Sequence, residues 1–149
     1  MRLRDIQRCR SDRGSTLIEF GLVALMFILM LVSVVELARM MLVFNTVANS
    51  ARAGARYAIV HGADRTGAGV NGPSGPGNTT QVETVVKNFA QAGLLATANL
   101  TITVAYPNGN NKAGSPVTVT VSYPYDPLVS YFSMLRRTVA STTEGVITF

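Results

Sequence analysis

An apolar run of 21 residues, 15–35, constrains this chain more than any other feature of its sequence. At ~1.5 Å of rise per residue, a helix of this length spans about 30 Å, the thickness of the hydrocarbon core of a bilayer. The run carries a single ionisable residue, Glu19. A carboxylate within a membrane helix costs roughly 2.5–3.5 kcal/mol on insertion scales. Because simple anchoring does not require that carboxylate, the sequence predicts that Glu19 acts in the assembly of helices.

The residues before the apolar run form a basic leader. Residues 1–14 contain five arginines and two aspartates, which supply +3 of the net charge of +5. Positive charge before a first membrane helix keeps that end of the chain in the cytoplasm, so the rest should lie across the membrane. The excess charge is therefore a property of the leader and does not indicate a nucleic-acid-binding protein. Cys9, the only cysteine, also lies in this leader.

Gly14 and Ser15 form a candidate processing site. A secretory signal peptide has an apolar stretch of about 7–15 residues with the small-residue cleavage site after it. In this chain the apolar stretch is longer, and the small residues come before it. Cleavage here would remove the leader and leave the whole helix on the protein. The alternative is an uncleaved signal anchor, and Glu19 could then snorkel to the interface without a partner.

The helix is predicted to continue beyond the membrane over residues 36–60, which contain no proline and no turn cluster. Apolar residues recur there at spacings of four and three, as in a helix that packs along a partner or its own domain. Small side chains in the later part favour packing against the chain's own sheet over an intermolecular contact. The predicted packing stripe consists of Leu37, Met41, Phe44, Ala48, Ala51, Ala55 and Ala58.

Residues 61–80 are rich in glycine and proline and predict a loop. Thr80 and Glu83 fit a capping box that opens a helix over 81–92, with Gly93 at its C-terminal cap. Residues 81–149 then predict a small domain with one helix and a mainly antiparallel sheet of about three strands. The strands are expected at 100–106, 117–123 and 138–149, with Pro124 ending the second, and 124–137 as a short helix or an apolar loop. The predicted fold class is α+β.

The segment that begins at the glycine resembles the prepilin-peptidase site of type IV pilins, in the variant of the tight-adherence (Tad, Flp-type) system. It reads Gly14-Ser15-Thr16-Leu17-Ile18-Glu19-Phe20. Together with Glu36-Leu37-Ala38-Arg39 and the segment from Ala51 to Ala58, residues 13–60 resemble TadE-like pseudopilins, minor pilin-like proteins of bacterial tight-adherence pili.

The resemblance implies that an integral-membrane prepilin peptidase cuts after Gly14, and that Glu19 and Phe20 are recognised by the peptidase or the assembly machinery. A carboxylate in apolar surroundings needs a cationic partner, and the new α-amine of Ser15 in an adjacent subunit could supply one. The implied partners are the peptidase, other pilins or pseudopilins, and the inner-membrane assembly platform. The implied location is the bacterial inner membrane, crossed once, with the C-terminal domain in the periplasm. Entry into the pilus itself stays open.

No cofactor, nucleic acid or small-molecule substrate is expected, and an enzyme has little support in the sequence. His61 and Asp64 would give only two ligands to a metal ion. No serine lies in a nucleophile-elbow pattern. The main alternative function is a membrane-anchored binding module, for which the helix is only a tether. Replacement of Glu19 distinguishes the two, because only the assembly protein needs its carboxylate.

Overall fold

The structure is a computed structural model that describes residues 4–65 and 73–148, with the side chains of 14–65, 73–129 and 133–148. The chain divides into two compact units, Met1–Ala38 and Arg39–Phe149. The predicted α+β class is confirmed. Part of the predicted glycine- and proline-rich loop, residues 66–72, lies outside the described residues. The elements are helices α1 (Arg4–Val60) and α2 (Thr80–Ala92), strands β1 (Thr101–Ala105), β2 (Pro116–Tyr125) and β3 (Arg137–Val146), and two short 3-10 helices, Thr97–Asn99 and Ser130–Leu135.

Helix α1 begins at Arg4, earlier than the start near Ser15 that the sequence suggested. Gly14 and Gly21 both lie within the helix. A single glycine costs about 1 kcal/mol relative to alanine inside a helix, which is too little to end a helix of this length. The candidate processing site therefore lies within a continuous helix.

The second unit is built on an antiparallel sheet with the order β1-β2-β3. Val104 of β1 lies opposite Val119 of β2, and Val121 of β2 lies opposite Ser141 of β3. Side chains alternate along β2, so every second residue faces the core. Val117, Val119 and Val121 are fully buried, and they share one core with α2 and the later part of α1.

Strand β2 continues through Pro124 to Tyr125, so the expectation that Pro124 ends it is wrong. The pairing explains why proline is tolerated there. Strand β1 reaches only to Ser122 of β2, so beyond that point β2 has a neighbour on the β3 side alone. A proline in a strand is acceptable where one side of the backbone has no strand to pair with.

Helix α2 ends as the sequence predicts but begins differently. Its N-cap is Thr79 rather than Thr80, and the Thr79 hydroxyl donates to the Glu83 carboxylate over 2.8 Å instead of closing a capping box. At the other end, Gly93 is the C-terminal cap, as predicted, and the left-handed residue is the one that follows it, Leu94 (φ 63°). The N–H groups of Leu94 and Leu95 donate to Gln91 and Ala90, which is the bonding pattern of a Schellman motif.

The end of β3 is joined to the end of α1. The backbone N–H of Thr148 donates to the carbonyl of Ile59 over 3.0 Å, and the Thr148 hydroxyl donates to the same oxygen. Gly145 lies directly under the Ile59 side chain, which a Cβ atom at position 145 would overlap. Strand β3 therefore continues through Gly145, and the glycine there is required by the close packing of α1.

Candidate assembly surface along helix α1

Gly14 and Ser15 are exposed on the first part of α1. A Cβ atom built on Gly14 would meet no atom within 4 Å, and the same holds for Gly21. Neither glycine is thus required by close packing among the described residues. A chemical requirement for glycine at position 14 would have to come from a molecule that recognises it, whereas Gly21 provides a matched position without a predicted role.

Glu19 is exposed on the same helix, and Phe20 beside it is 74% exposed. Two other polar residues in this apolar run, Ser33 and Thr16, have an interaction within the structure. The Ser33 hydroxyl donates to the carbonyl of Leu29 over 2.7 Å, which lowers the cost of placing it in lipid. No described side chain pairs with Glu19, so its carboxylate is the polar group of this run that most needs an external partner.

No residue in the most hydrophobic 18-residue window of the apolar run is buried. Large side chains cover its surface, among them Leu17, Phe27 and Met30. Among the residues that the structure describes, α1 alone is long and apolar enough to cross a membrane, judged by length and composition. Such a surface is stable against lipid and unstable against water, and it agrees with the predicted anchor.

The later part of α1, which belongs to the second unit, buries small side chains against α2 and the sheet. Its buried face consists of Val43, Thr46, Val47, Ser50, Ala51, Gly54, Ala55 and Ala58. A Cβ atom at Gly54 would lie 2.5 Å from Cγ2 of Val86 on α2 and 3.3 Å from Cγ1 of Val119 on β2. A Cβ atom at Gly93 would overlap the Thr46 side chain. Small residues at these crossings let α1 approach both α2 and the sheet.

The predicted packing stripe coincides with this face only in its later part. Ala51, Ala55 and Ala58 are buried, and Ala48 is half-buried. Leu37, Met41 and Phe44 are 53–63% exposed. The buried apolar positions nearest to them are Val43 and Val47, so the face that packs on the sheet is rotated from the predicted stripe by about one residue, or ~100°. Packing of Leu37, Met41 and Phe44 against another protein stays a prediction.

Arg39 has a role that the sequence analysis missed. Its guanidinium carbon lies 5.5 Å from the centre of the Tyr125 ring, within the range of a cation–π contact. One of its nitrogens donates to the carbonyl of Asp126 over 3.3 Å. Arg39 therefore fixes the first turn of this unit to the end of β2. The position of an arginine just after an apolar helix was visible in the sequence, but its aromatic partner was far away in the chain.

His61 and Asp64 do not form part of a metal site in the described residues, which contain no group of three or more His, Cys, Asp or Glu that could hold an ion. The ring of His61 instead stacks on Tyr57 with 3.8 Å between centroids, and its Nδ1 atom lies 2.9 Å from the Tyr57 carbonyl. The nearby Tyr106 is buried, and burial raises the pKa of its phenol above the ordinary value. Stacking and burial therefore explain the presence of these aromatic side chains without a bound metal ion.

Residues 14–56 match the family model described as TadE-like protein. The matched segment begins at the candidate processing glycine, contains Glu19 and Arg39, and ends on the buried part of α1. The resemblance to TadE-like proteins is thus confirmed over this segment, and the family suggests involvement in the Tad pilus system. Neither a curated protein nor a solved structure matches the chain.

Proposed function

We propose that this TadE-like chain is a membrane-anchored protein that supports the biogenesis of an adhesive Tad (Flp-type) pilus, and that it acts through helix α1 rather than by catalysis. In this proposal the N-terminus lies in the cytoplasm, α1 crosses the bacterial inner membrane, and the second unit lies in the periplasm. The family match supports the proposal because it covers α1 and stops before α2 and the sheet.

The observation that carries the proposal is the isolated carboxylate of Glu19. It lies in an apolar and exposed stretch of helix, and no described side chain pairs with it. An unpaired charge in lipid is unfavourable, whereas a charge paired between two helices can set their relative position. Glu19 is therefore best explained as one half of an intermolecular contact.

The other half would come from processing. A prepilin peptidase that cuts after Gly14 would free an α-amine on Ser15, and that amine is the only new cation that cleavage creates. Paired with Glu19 of a neighbouring pilin or pseudopilin, it would neutralise both charges and fix the axial register of packed helices. Phe20 would lie beside this contact and pack against the neighbouring helix.

The exposed side chains Leu37, Met41 and Phe44 extend the proposed contact beyond the charged pair. They are large and apolar, and they lie outside the face that α1 uses for its own core. Pilin-like partners carry long apolar helices of the same kind, so side-by-side packing would cover these residues. The second unit then serves to hold the later part of α1 rigid while the partner binds.

The processing step is tested by the N-terminus and intact mass of the full chain, extracted from membranes of cells with and without an active prepilin peptidase. We expect the wild-type chain to begin at Ser15 only when the peptidase is active. Gly14→Ala should abolish cleavage, whereas Gly21→Ala should be cleaved normally. Both changes add one methyl group in open space on the same helix, so a difference between them reflects recognition.

The assembly step is tested with Glu19→Ala and Glu19→Gln, with Leu22→Ala as the control at an exposed apolar position. Both Glu19 variants should insert into the membrane and lose pilus assembly, while Leu22→Ala should retain it. Normal piliation with Glu19→Ala, together with an uncut leader, would favour the alternative of a signal-anchored binding module. Electron microscopy of surface pili and a membrane extraction assay provide the two measurements.

A further inference from the structure

A groove of about 320 Å³ lies where the chain enters its second unit. One wall is the first turn of this unit, with Arg39 and Leu42, and the opposite wall is the C-terminal end of α2 with Leu94. The floor is formed by the end of β2, including Pro124 and Asp126. The groove is thus lined by residues of α1, by the residues that follow the C-terminal end of α2, and by the end of β2.

Large apolar side chains surround this groove. Leu42 is 50% exposed and Leu94 is 87% exposed. Two further exposed residues follow closely along the chain: Leu128 lies two residues after Asp126, and Met134 lies two residues before Arg136, whose guanidinium contacts Asp126 over 2.8 Å. Leu42 and Leu94 therefore line the groove, and Leu128 and Met134 lie within two residues along the chain of its lining residue Asp126 or of the Arg136 that contacts it.

The same end carries an excess of positive charge. Arg136 is paired with Asp126, and Arg39 donates to the backbone of that residue. Arg137 lies opposite Tyr125 in the sheet and is exposed. Among the residues of the second unit, these three arginines and one aspartate give a local charge of +2 beside an apolar rim. This combination suits the boundary between anionic lipid headgroups and acyl chains.

The covalent chain limits what can cover this surface. Arg39 follows the apolar run by four residues, so even a fully extended connection would hold it within about 14 Å of the end of that run. The opposite end of the unit has a different character. Its β1–β2 connection exposes Asn108 and Lys112, and Val146 is the large apolar exception there.

We propose that this end of the second unit is a lipid-binding surface, which seats on the anionic headgroups and outer acyl region of the bilayer that holds the apolar helix. The surface consists of Leu42, Leu94, Leu128 and Met134 with Arg39, Arg136 and Arg137. The proposal rests on the membrane anchoring in the proposed function, and not on processing or pilus assembly. Seating would restrict the tilt of the unit relative to the bilayer, and thereby orient the exposed face of α1 toward a partner.

The test uses the full chain in vesicles of phosphatidylcholine and phosphatidylglycerol, with Cys9→Ser as the background. A fluorophore is attached at Leu128→Cys, or at Lys112→Cys as the matched control at the opposite end. Lipids with brominated acyl chains quench a fluorophore that reaches them. We expect strong quenching of the label at position 128 and little at position 112.

The tether alone holds this end near the bilayer, so quenching could arise without any binding of lipid by the surface. Further variants distinguish the two cases. Leu94→Asp with Met134→Asp should largely abolish the quenching at position 128. Arg137→Gln should weaken the quenching at position 128 in vesicles with anionic lipid. The equilibrium constant between the seated and free states of the unit should fall roughly fivefold. Both residues that are changed to aspartate are exposed, so the fold of the unit should survive, and its resistance to proteolysis checks this.

Equal quenching at positions 128 and 112, or quenching at 128 that survives the aspartate pair, would overturn the proposal. Energy transfer between labels at position 128 on different copies, without quenching by lipid, would also overturn it by showing that a second copy covers the surface. Extraction of the chain by alkaline carbonate would instead contradict the membrane anchoring in the proposed function. The two failures are therefore distinguishable.

Discussion

Helix α1 presents large apolar side chains on its surface over residues 14–35, whereas over residues 43–58 it buries mostly small ones. The first stretch has no described contact that would remove it from water, and the second is enclosed by α2 and the sheet. Side-chain size, rather than hydrophobicity, therefore distinguishes the surroundings of the two stretches. Large residues suit a fluid apolar solvent, and small residues suit a second backbone at close range.

The largest difference in unfolding free energy is expected between variants at Val47 and Phe44, which are three residues apart in the second unit. Val47 is fully buried and Phe44 is 53% exposed. Val47→Asp should lower the free energy of unfolding by about 3–5 kcal/mol, since it buries a charge without a partner. Phe44→Asp should have little effect on folding. Pulse proteolysis of the full chain in detergent over a urea series measures both, and equal losses would mean that the buried face is wrongly placed.

A glycine pair tests the packing of the two stretches directly. Gly54→Val should destabilise the second unit by about 1–3 kcal/mol, because its new side chain would collide with Val86 and press on Val119. Gly21→Val makes the same chemical change on the apolar stretch, where a Cβ atom meets nothing. We expect no loss of stability there. The shift of the urea midpoint is the measurement, and a tolerated Gly54→Val would show that α1 is not held closely against α2.

The contact between Gly93 and Thr46 gives a smaller and more specific effect. Gly93→Ala should cost about 1–2 kcal/mol, because its Cβ atom would overlap the Thr46 side chain. Thr46→Ala removes the two overlapping atoms and leaves Cβ at 3.1 Å. The loss should therefore shrink in the Thr46→Ala background. A double-mutant cycle of unfolding free energies checks this, and purely additive losses would contradict the contact.

The smallest expected change is a gain. Leu94 holds a left-handed backbone conformation (φ 63°), which costs a residue with a Cβ atom roughly 1–2 kcal/mol. Leu94→Gly should raise the free energy of unfolding by about 1 kcal/mol after the entropy of glycine is counted. Leu128→Gly, at another exposed leucine, should not raise it. A destabilised Leu94→Gly would mean that the leucine side chain contributes more than its backbone costs.

Much of the fold could be predicted because the helical and the strand periodicities occupy separate segments of the chain. The alternation around Val119 and Val121 predicts a buried strand face, and the structure confirms the hairpin and the third strand. The face of α1 was harder to place between residues 40 and 44. Met40, Leu42 and Val43 compete there with Met41 and Phe44, and only tertiary packing decides which of them turns inward.

Long-range partners explain most of the remaining differences. The tolerance of Pro124 depends on how far β1 extends, and the lack of room for a Cβ atom at Gly93 depends on the close approach of Thr46. Neither fact is local in the sequence. The candidate site shows the opposite case, since Gly14 and Glu19 were found from spacing alone. Their proposed roles concern other molecules, and such roles would leave little trace in the packing of the chain itself.

The hydrogen bonds from Thr148 to Ile59 have a consequence for the timing of biosynthesis. The two residues are 89 positions apart, and at about 5–20 residues per second the ribosome needs about 4–18 s to pass from one to the other. Helix α1 is complete well before the strand that closes its far end exists. During that interval the alanine face has no finished sheet to cover it. Protease cleavage at Arg52 and Arg56 in stalled nascent chains would show when that protection arrives.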